Sequence, residues 1–118
     1  MHPVSISIEK TYQWADGVID WPLLKTKGLL VIEEMLAPGC GEQLHYHDKM
    51  KQSFNMLARR AVMRGADGQN VEIDTGMALH ISPETHYKIV NQTDEETCFL
   101  VISASSSCGD RHEVEQEK

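Results

Sequence analysis

The sequence has no long apolar run. Nowhere do about eighteen apolar residues follow one another, so it offers no candidate membrane-spanning helix. It is short of aromatic residues, at 6%, and of positive charge, with 11 lysines and arginines against 18 aspartates and glutamates. A formal net charge of −7 repels phosphate backbones and anionic lipid surfaces alike, which argues against nucleic acid and membrane as partners. An acidic chain can still hold a cationic pocket, provided a metal ion supplies the charge locally. Cysteine is scarce too. Cys40, Cys98 and Cys108 are an odd set without a C-x-x-C pair, which excludes a zinc ribbon or dithiol motif and fits a reduced, cytoplasmic chain. The opening residues, MHPVSISIEKTYQW, lack a basic start followed by an apolar stretch and do not read as a secretory signal. No repeat, low-complexity block or linker is visible. Nor does any window of about a dozen residues carry a 3.6-residue apolar period, which leaves at most a short helical turn from Ile19 to Lys25 around Pro22.

What the sequence does contain is a series of short strands between turns. Its 118 residues suffice for one domain with a modest core. Leu29 to Leu36 is apolar and β-branched, interrupted by Glu33 and Glu34, and stops at Ala37-Pro38-Gly39. In Gln52 to Ala58, alternation sets Gln52, Phe54 and Met56 on one face. Ala61 to Arg64 and Val71 to Thr75 flank a turn rich in Gly, Asp and Asn, the pattern of a hairpin. Met77, Leu79 and Ile81 alternate until Pro83, which cannot donate to a ladder. Tyr87 to Asn91 and Thr97 to Ala104 complete the set. Tyr12, Trp14 and Trp21 are expected to cover one end of the fold. Residues 1–104 are read as one domain, and 105–118 as a polar tail with nothing to bury, in which Asp110 and Arg111 would form surface ion pairs. Many short strands with regular turn signals mean a sandwich or barrel.

The chemistry concentrates between Pro38 and Leu57. His45 and His47 lie two apart, and on a strand residues i and i+2 share a face. Two neutral imidazoles converging in this way suit zinc, nickel, copper or iron. A short turn from Asp48 to Lys51 can bring Gln52 back beside them. His80, alternating with Leu79 and Ile81, faces outward, and His2 and His112 lie near the termini.

These residues resemble the cupin family. Its first motif, G-x5-H-x-H-x(3–4)-E-x6-G, is matched by Gly39, His45, His47 and, four residues on, Gln52. Glutamine stands in place of the glutamate, and Arg59 in place of the final glycine. The second motif, G-x5-P-x-G-x2-H-x3-N, is met loosely by Gly76, Pro83 and Asn91. The resemblance spans roughly residues 29–111. It implies a double-stranded β-helix, a jelly-roll β-barrel commonly paired as a homodimer, with a divalent transition metal (Zn, Ni, Fe, Mn or Cu) on three histidines and a glutamate. The third histidine has two claimants. Counting back from Asn91 selects Tyr87, which also keeps Lys88 outside; metal chemistry selects His86, one residue earlier. A bulge after Pro83 could reconcile the two. The expected ligands are His45, His47, Gln52 and either His86 or Tyr87, with His86 taken as the ligand and Tyr87, as the one that does not ligate, moving a proton.

Such a site points to a metal-dependent enzyme of dioxygenase or isomerase/lyase type acting on a small anionic, oxygen-rich molecule. A non-catalytic binding module and a cupin that has lost its metal are the alternatives. Gln52 cancels none of the charge of a divalent ion, so a site built on it holds metal less firmly and attracts anions more strongly. Gln52→Glu is expected to tighten metal binding and weaken anion binding. Calorimetric titrations showing neither change would remove Gln52 from the ligand set.

Overall fold

The computed structural model describes residues 1–5, 12–15, 17–104 and 110–114. The side chains of Tyr12 and Trp14, and Cys108, lie outside what is described. Among these residues the chain forms strands and no helix. In order they are β1 (Tyr12–Ala15), β2 (Val18–Lys25), β3 (Leu29–Leu36), β4 (His45–His47), β5 (Lys51–Ala58), β6 (Arg60–Gly65), β7 (Asn70–Asp74), β8 (Ala78–Ile81), β9 (Tyr87–Val90), β10 (Thr97–Ala104) and β11 (Arg111–Glu113). They make two antiparallel sheets, ordered β1-β2-β3-β10-β5-β8 and β11-β4-β9-β6-β7.

The period of two that marks a half-buried strand runs through both sheets. On β10 the buried residues are Thr97, Phe99, Val101 and Ser103; on β5 they are Gln52, Phe54 and Met56. Phe99 and Val101 pair with Met56 and Phe54. Ile73, Ile89 and Ala61 of the second sheet close over them, and these side chains form the apolar core. The core fills one end of the barrel. Toward the other end the same inner faces carry polar side chains: Ser103 beyond Val101, Gln52 beyond Phe54, and Glu34 before Leu36.

Two expectations need correction. The segment Ile19 to Lys25 is not a helical turn but part of β2, paired with β3 from Val18↔Leu36 to Lys25↔Leu30. Pro22 stays in register with Ile32, and the pairing shifts between Pro22 and Leu24, the kind of irregularity at which strands tolerate proline. The polar tail, in turn, is not wholly outside the barrel. Residues 111–113 form β11, which pairs with β4 as Arg111↔His47, His112↔Tyr46 and Glu113↔His45. Local hydrophobicity gives no hint of this, because the strand is fixed by its backbone ladder and by a buried carboxylate, Asp110, that accepts hydrogen bonds from the Lys49 and Met50 N–H groups.

Two motif positions, the asparagine met by Asn91 and the glycine replaced by Arg59, also acquire physical content. Asn91 is buried; its amide donates to the Leu36 and Glu95 carbonyls, and its oxygen accepts from Thr93, so it ties the β9–β10 loop to β3. Arg59, where the motif has glycine, sits between β5 and β6 at φ 63°, in the left-handed region that costs any residue with a Cβ. Its guanidinium reaches Glu95 at 2.8 Å and the Glu96 carbonyl at 2.6 Å, both at the surface. Backbone relief and a weak exposed ion pair oppose each other in Arg59→Gly, so its melting temperature is expected to match or exceed the parent's. Arg59→Val keeps the strain and loses the pair, and should melt about 4 °C or more below the parent.

Candidate functional site

The polar end of the barrel opens into a cavity of about 650 Å³, part of it open to solvent. His45 and His47 enter it from β4, Gln52 from β5, and Tyr87 from β9. His45 pairs directly with Tyr87 across β4 and β9, with ring centroids 4.4 Å apart. The two imidazoles stand edge to face at 5.3 Å. The structure thus brings His45, His47, Gln52 and Tyr87 together. His86 it turns away. That ring, on the residue just before β9, stacks on Tyr46, 4.4 Å away and 4° from parallel. His86 is therefore corrected from ligand to outer-face residue, for the reason alternation supplied: bringing it inside would bring Lys88 inside as well.

Both imidazoles are held neutral. Burial, and secondarily the Arg111 charge, lowers His45 from 6.5 to about 3. The same two causes lower His47. His45 Nδ1 lies 2.8 Å from the Gln43 carbonyl, which can only accept, so Nδ1 carries the proton and Nε2 keeps its lone pair. His47 Nδ1 is buried without a hydrogen-bond partner among the described residues, and lies 3.9 Å from Asp110 Oδ2. A carboxylate in that position is the usual partner of an imidazole whose other nitrogen binds a metal. Tyr87 donates its hydroxyl hydrogen to Gln52 Oε1, and Gln52 Nε2 donates to Ser103 Oγ at 3.2 Å. Burial first, and then the Glu42 charge, pushes the Tyr87 phenol above its ordinary value, so it stays protonated as a donor.

The wall facing this group contains residues that the sequence reading placed outside the site, Arg111 among them as a surface ion-pair residue. Asp20 from β2, Glu34 from β3 and Glu42 from the segment before β4 line the same cavity, with Arg111 from β11. Glu34, buried and hydrogen-bonded to Asp20, is raised well above 4.5, first by burial and then by the Glu42 charge. Glu42 is raised to about 7 by burial, against the lowering effect of Arg111. Its seat is fixed from behind, since Gly41 crosses β9 so closely that a Cβ there would meet Val90 Cγ1 at 2.5 Å and the Ile89 carbonyl at 2.7 Å. Glu34 had a signal in the sequence, a carboxylate interrupting an apolar strand. Glu42 and Arg111 had none.

The fold family implies a divalent metal, and the residues present can be tested for it. Among the described residues no three His, Cys, Asp or Glu side chains group in metal-ligand geometry. What remains is two neutral imidazoles and one amide oxygen, a donor set that fits a borderline divalent ion with open positions. On this donor chemistry the site fits.

No family model matches the sequence, and no curated protein matches it. Solved structures do. The polyketide cyclase RemF from Streptomyces resistomycificus superposes with a TM-score of 0.84 at 16% identity, over 100% of this chain and 88% of its own. A predicted oxalate decarboxylase from Thermotoga maritima gives 0.79 at 20% identity, over 87% of this chain and 98% of its own. An RmlC-like cupin from Shewanella frigidimarina gives 0.78 at 12% identity, over 90% and 92%. The architecture is thus a double-stranded β-helix. The chain has the cupin fold, as the spacing of its histidines implied.

Asp110 offers a direct check on how the tail supports this site. Burial alone would raise its carboxyl, but backbone N–H groups from Lys49, Met50 and Asp48, together with His47, hold it below 3.8. Its contribution is therefore present above that value and lost as pH falls below it. Asp110→Ala strands the Lys49 and Met50 donors and should cost about 2 kcal/mol at pH 7. Asp110→Asn should cost less, and the gap between parent and alanine variant should narrow in acid, as read from urea unfolding at several pH values.

Proposed function

We propose that this protein is a metal-dependent enzyme acting on a small anionic metabolite. It holds a divalent transition metal on His45, His47 and the Gln52 carbonyl, and its chemistry is of dioxygenase or isomerase/lyase type. The supporting observation is the common inner face of these three residues with Tyr87, at the polar mouth of an otherwise apolar barrel. Enzymes of the same fold, by their names a polyketide cyclase and a predicted oxalate decarboxylase, are consistent with this reading.

When bound, the ion would supply Lewis acidity or an oxygen-binding centre. The chain's own residues do the rest. Burial keeps both imidazoles neutral and available as ligands. Tyr87, kept protonated, offers a hydrogen bond at its Oη to a substrate oxygen that displaces the Gln52 carbonyl. Glu42, with a carboxyl near 7, can take or give a proton at neutral pH. Ile32, Met50, Phe54 and Val101 line the cavity and limit water around the reacting group.

The Tyr87–Gln52–Ser103 chain favours a second reading, a cupin fold whose pocket works without metal, since it satisfies the amide internally. Elemental analysis of untagged protein grown with Zn, Ni, Fe and Mn supplements separates the two. About one equivalent of metal is expected in the parent, falling to background in His45→Ala and His47→Ala, with turnover lost at least about 100-fold. A metal-free parent that still turns over hydroxy or keto acids would select the second reading.

A further inference from the structure

The cavity carries a charge that neither the histidines nor the tyrosine explains. Among the described residues lining it, Arg111 is the only lysine or arginine, delivered by a strand whose sequence gave it no role. Its guanidinium faces Glu42, Nη1 to Oε2 at 3.7 Å, and Glu113, Nε to Oε1 at 3.9 Å. Both separations are longer than a well-formed charge-assisted hydrogen bond, so neither of these two carboxylates grips the guanidinium in bidentate fashion. Glu42 Oε1 is buried and has no hydrogen-bond partner among the described residues. A buried carboxylate left half-satisfied, beside two further acids, is a poor permanent partner.

The space around the pair has two sides. Arg111, Glu42 and Glu34 line the main cavity and also a smaller neighbouring one of about 440 Å³, reached past Val18 and Gln43. The Glu42 side chain therefore has room to withdraw, while Gly41 keeps its backbone in place. On the main-cavity side, Leu30, Ile32, Met50, Phe54 and Val101 make an apolar wall within the same enclosure as Arg111. A sugar or a very small diacid would leave that wall wet.

We propose that Arg111 is the anion-binding residue of the cavity, that Glu42 occupies it as an internal stand-in, and that the ligand is a carboxylate with an apolar body, which displaces Glu42 and lies along the Leu30–Ile32–Phe54 wall. This deepens the reading of the cavity as a small-molecule site and names its substrate class. A planar guanidinium takes a carboxylate through two parallel hydrogen bonds, which Glu42 at 3.7 Å does not achieve. The raised carboxyl of Glu42 agrees, since it weakens the hold on Arg111 at neutral pH. Specificity then has two parts, the head group at Arg111 and the hydrophobic match at the wall.

The probe is benzoylformate, an aromatic 2-keto acid, with its methyl ester as the neutral twin and acetate as the head group alone. Each is titrated calorimetrically into protein as purified and after dialysis against a chelator. Benzoylformate is expected to bind at least about 10-fold tighter than either comparison compound in both preparations. Arg111→Met should weaken it about 10-fold or more without moving the ester, and Arg111→Lys should recover part of the loss. Glu42→Gln, which removes the competing carboxylate and leaves Arg111 in place, should tighten benzoylformate several-fold. It keeps the test open should Arg111→Met fail to dock its strand. An ester that binds as well as the acid, or a folded Arg111→Met or Glu42→Gln protein with parental affinity, would overturn the proposal. So would a parent that binds no benzoylformate. Metal content plays no part in the chelated arm, so Arg111 can fail while the metal reading stands, and the reverse.

Discussion

The pairing of His45 with Tyr87 is the contact on which the rest of the structure depends. A strand has a period of two, so one pair fixes the sidedness of both strands at once. With His45 inside, His47 is inside and Tyr46 outside. With Tyr87 inside, Ile89 and Asn91 are inside, while His86 and Lys88 are not. Shifting β9 by one residue would exchange a phenol for an imidazole at the site, but would also bury Lys88 and expel Ile89, which is fully buried in the core. The core therefore decides which of the two side chains faces the cavity. Burying Ile89 and keeping Lys88 out of the core both favour the register observed.

A second constraint follows from sidedness. The barrel has one apolar end and one end where inward positions are polar, so the polar groups there must satisfy one another or face a ligand. Gln52, Tyr87 and Ser103 satisfy one another in a chain. Asp110 satisfies two backbone donors and lies near His47. Glu42 is left short, and its carboxyl is the one in this wall that burial brings to about 7. Among the described residues, Glu42 Oε1 and His47 Nδ1 lack partners on this cavity, and Glu42 lies between two openings. A cavity with spare hydrogen-bonding capacity is the part of a fold most able to accept something from outside.

Much of the fold was legible because the signals are local and repeated. Alternation in Gln52 to Ala58 and Thr97 to Ala104, the glycine-rich turn after Arg64, and the stop at Ala37-Pro38-Gly39 each fall where β5, β10, the β6–β7 hairpin and the end of β3 lie. The histidine pair and Gln52 were legible for the same reason, since two residues on one strand share a face whatever surrounds them. Pro22 misled in the region Ile19 to Lys25, because a register shift can absorb a proline within a strand that its neighbours hold. β11 was invisible because nothing in its composition distinguishes an edge strand from a solvated tail. Its place is set by long-range pairing with β4, more than sixty residues away in sequence, as the Lys49–Asp110 separation of 61 shows. Glu42 and Arg111 were missed together, since neither sits in a pattern and their meaning is mutual.

That mutual meaning bears on the charge balance of the whole site. Asp20, Glu34 and Glu42 would repel the anionic ligand proposed for this cavity, yet an anion is what the proposed metal with neutral ligands would attract. The conflict resolves if the acids are not all ionised when substrate arrives. Burial raises Glu34 and Glu42, and Asp20 and Glu34 share a hydrogen bond, so the wall can hold protons rather than charge. Arg111 is the one group there that cannot lose its charge. A wall whose buried carboxyls Glu34 and Glu42 are pushed up around a fixed cation is repulsive when they are bare and permissive once they are protonated. The protein's overall charge of −7 thus says little about the cavity, where the local sign is set by one arginine from a strand that looks like a tail.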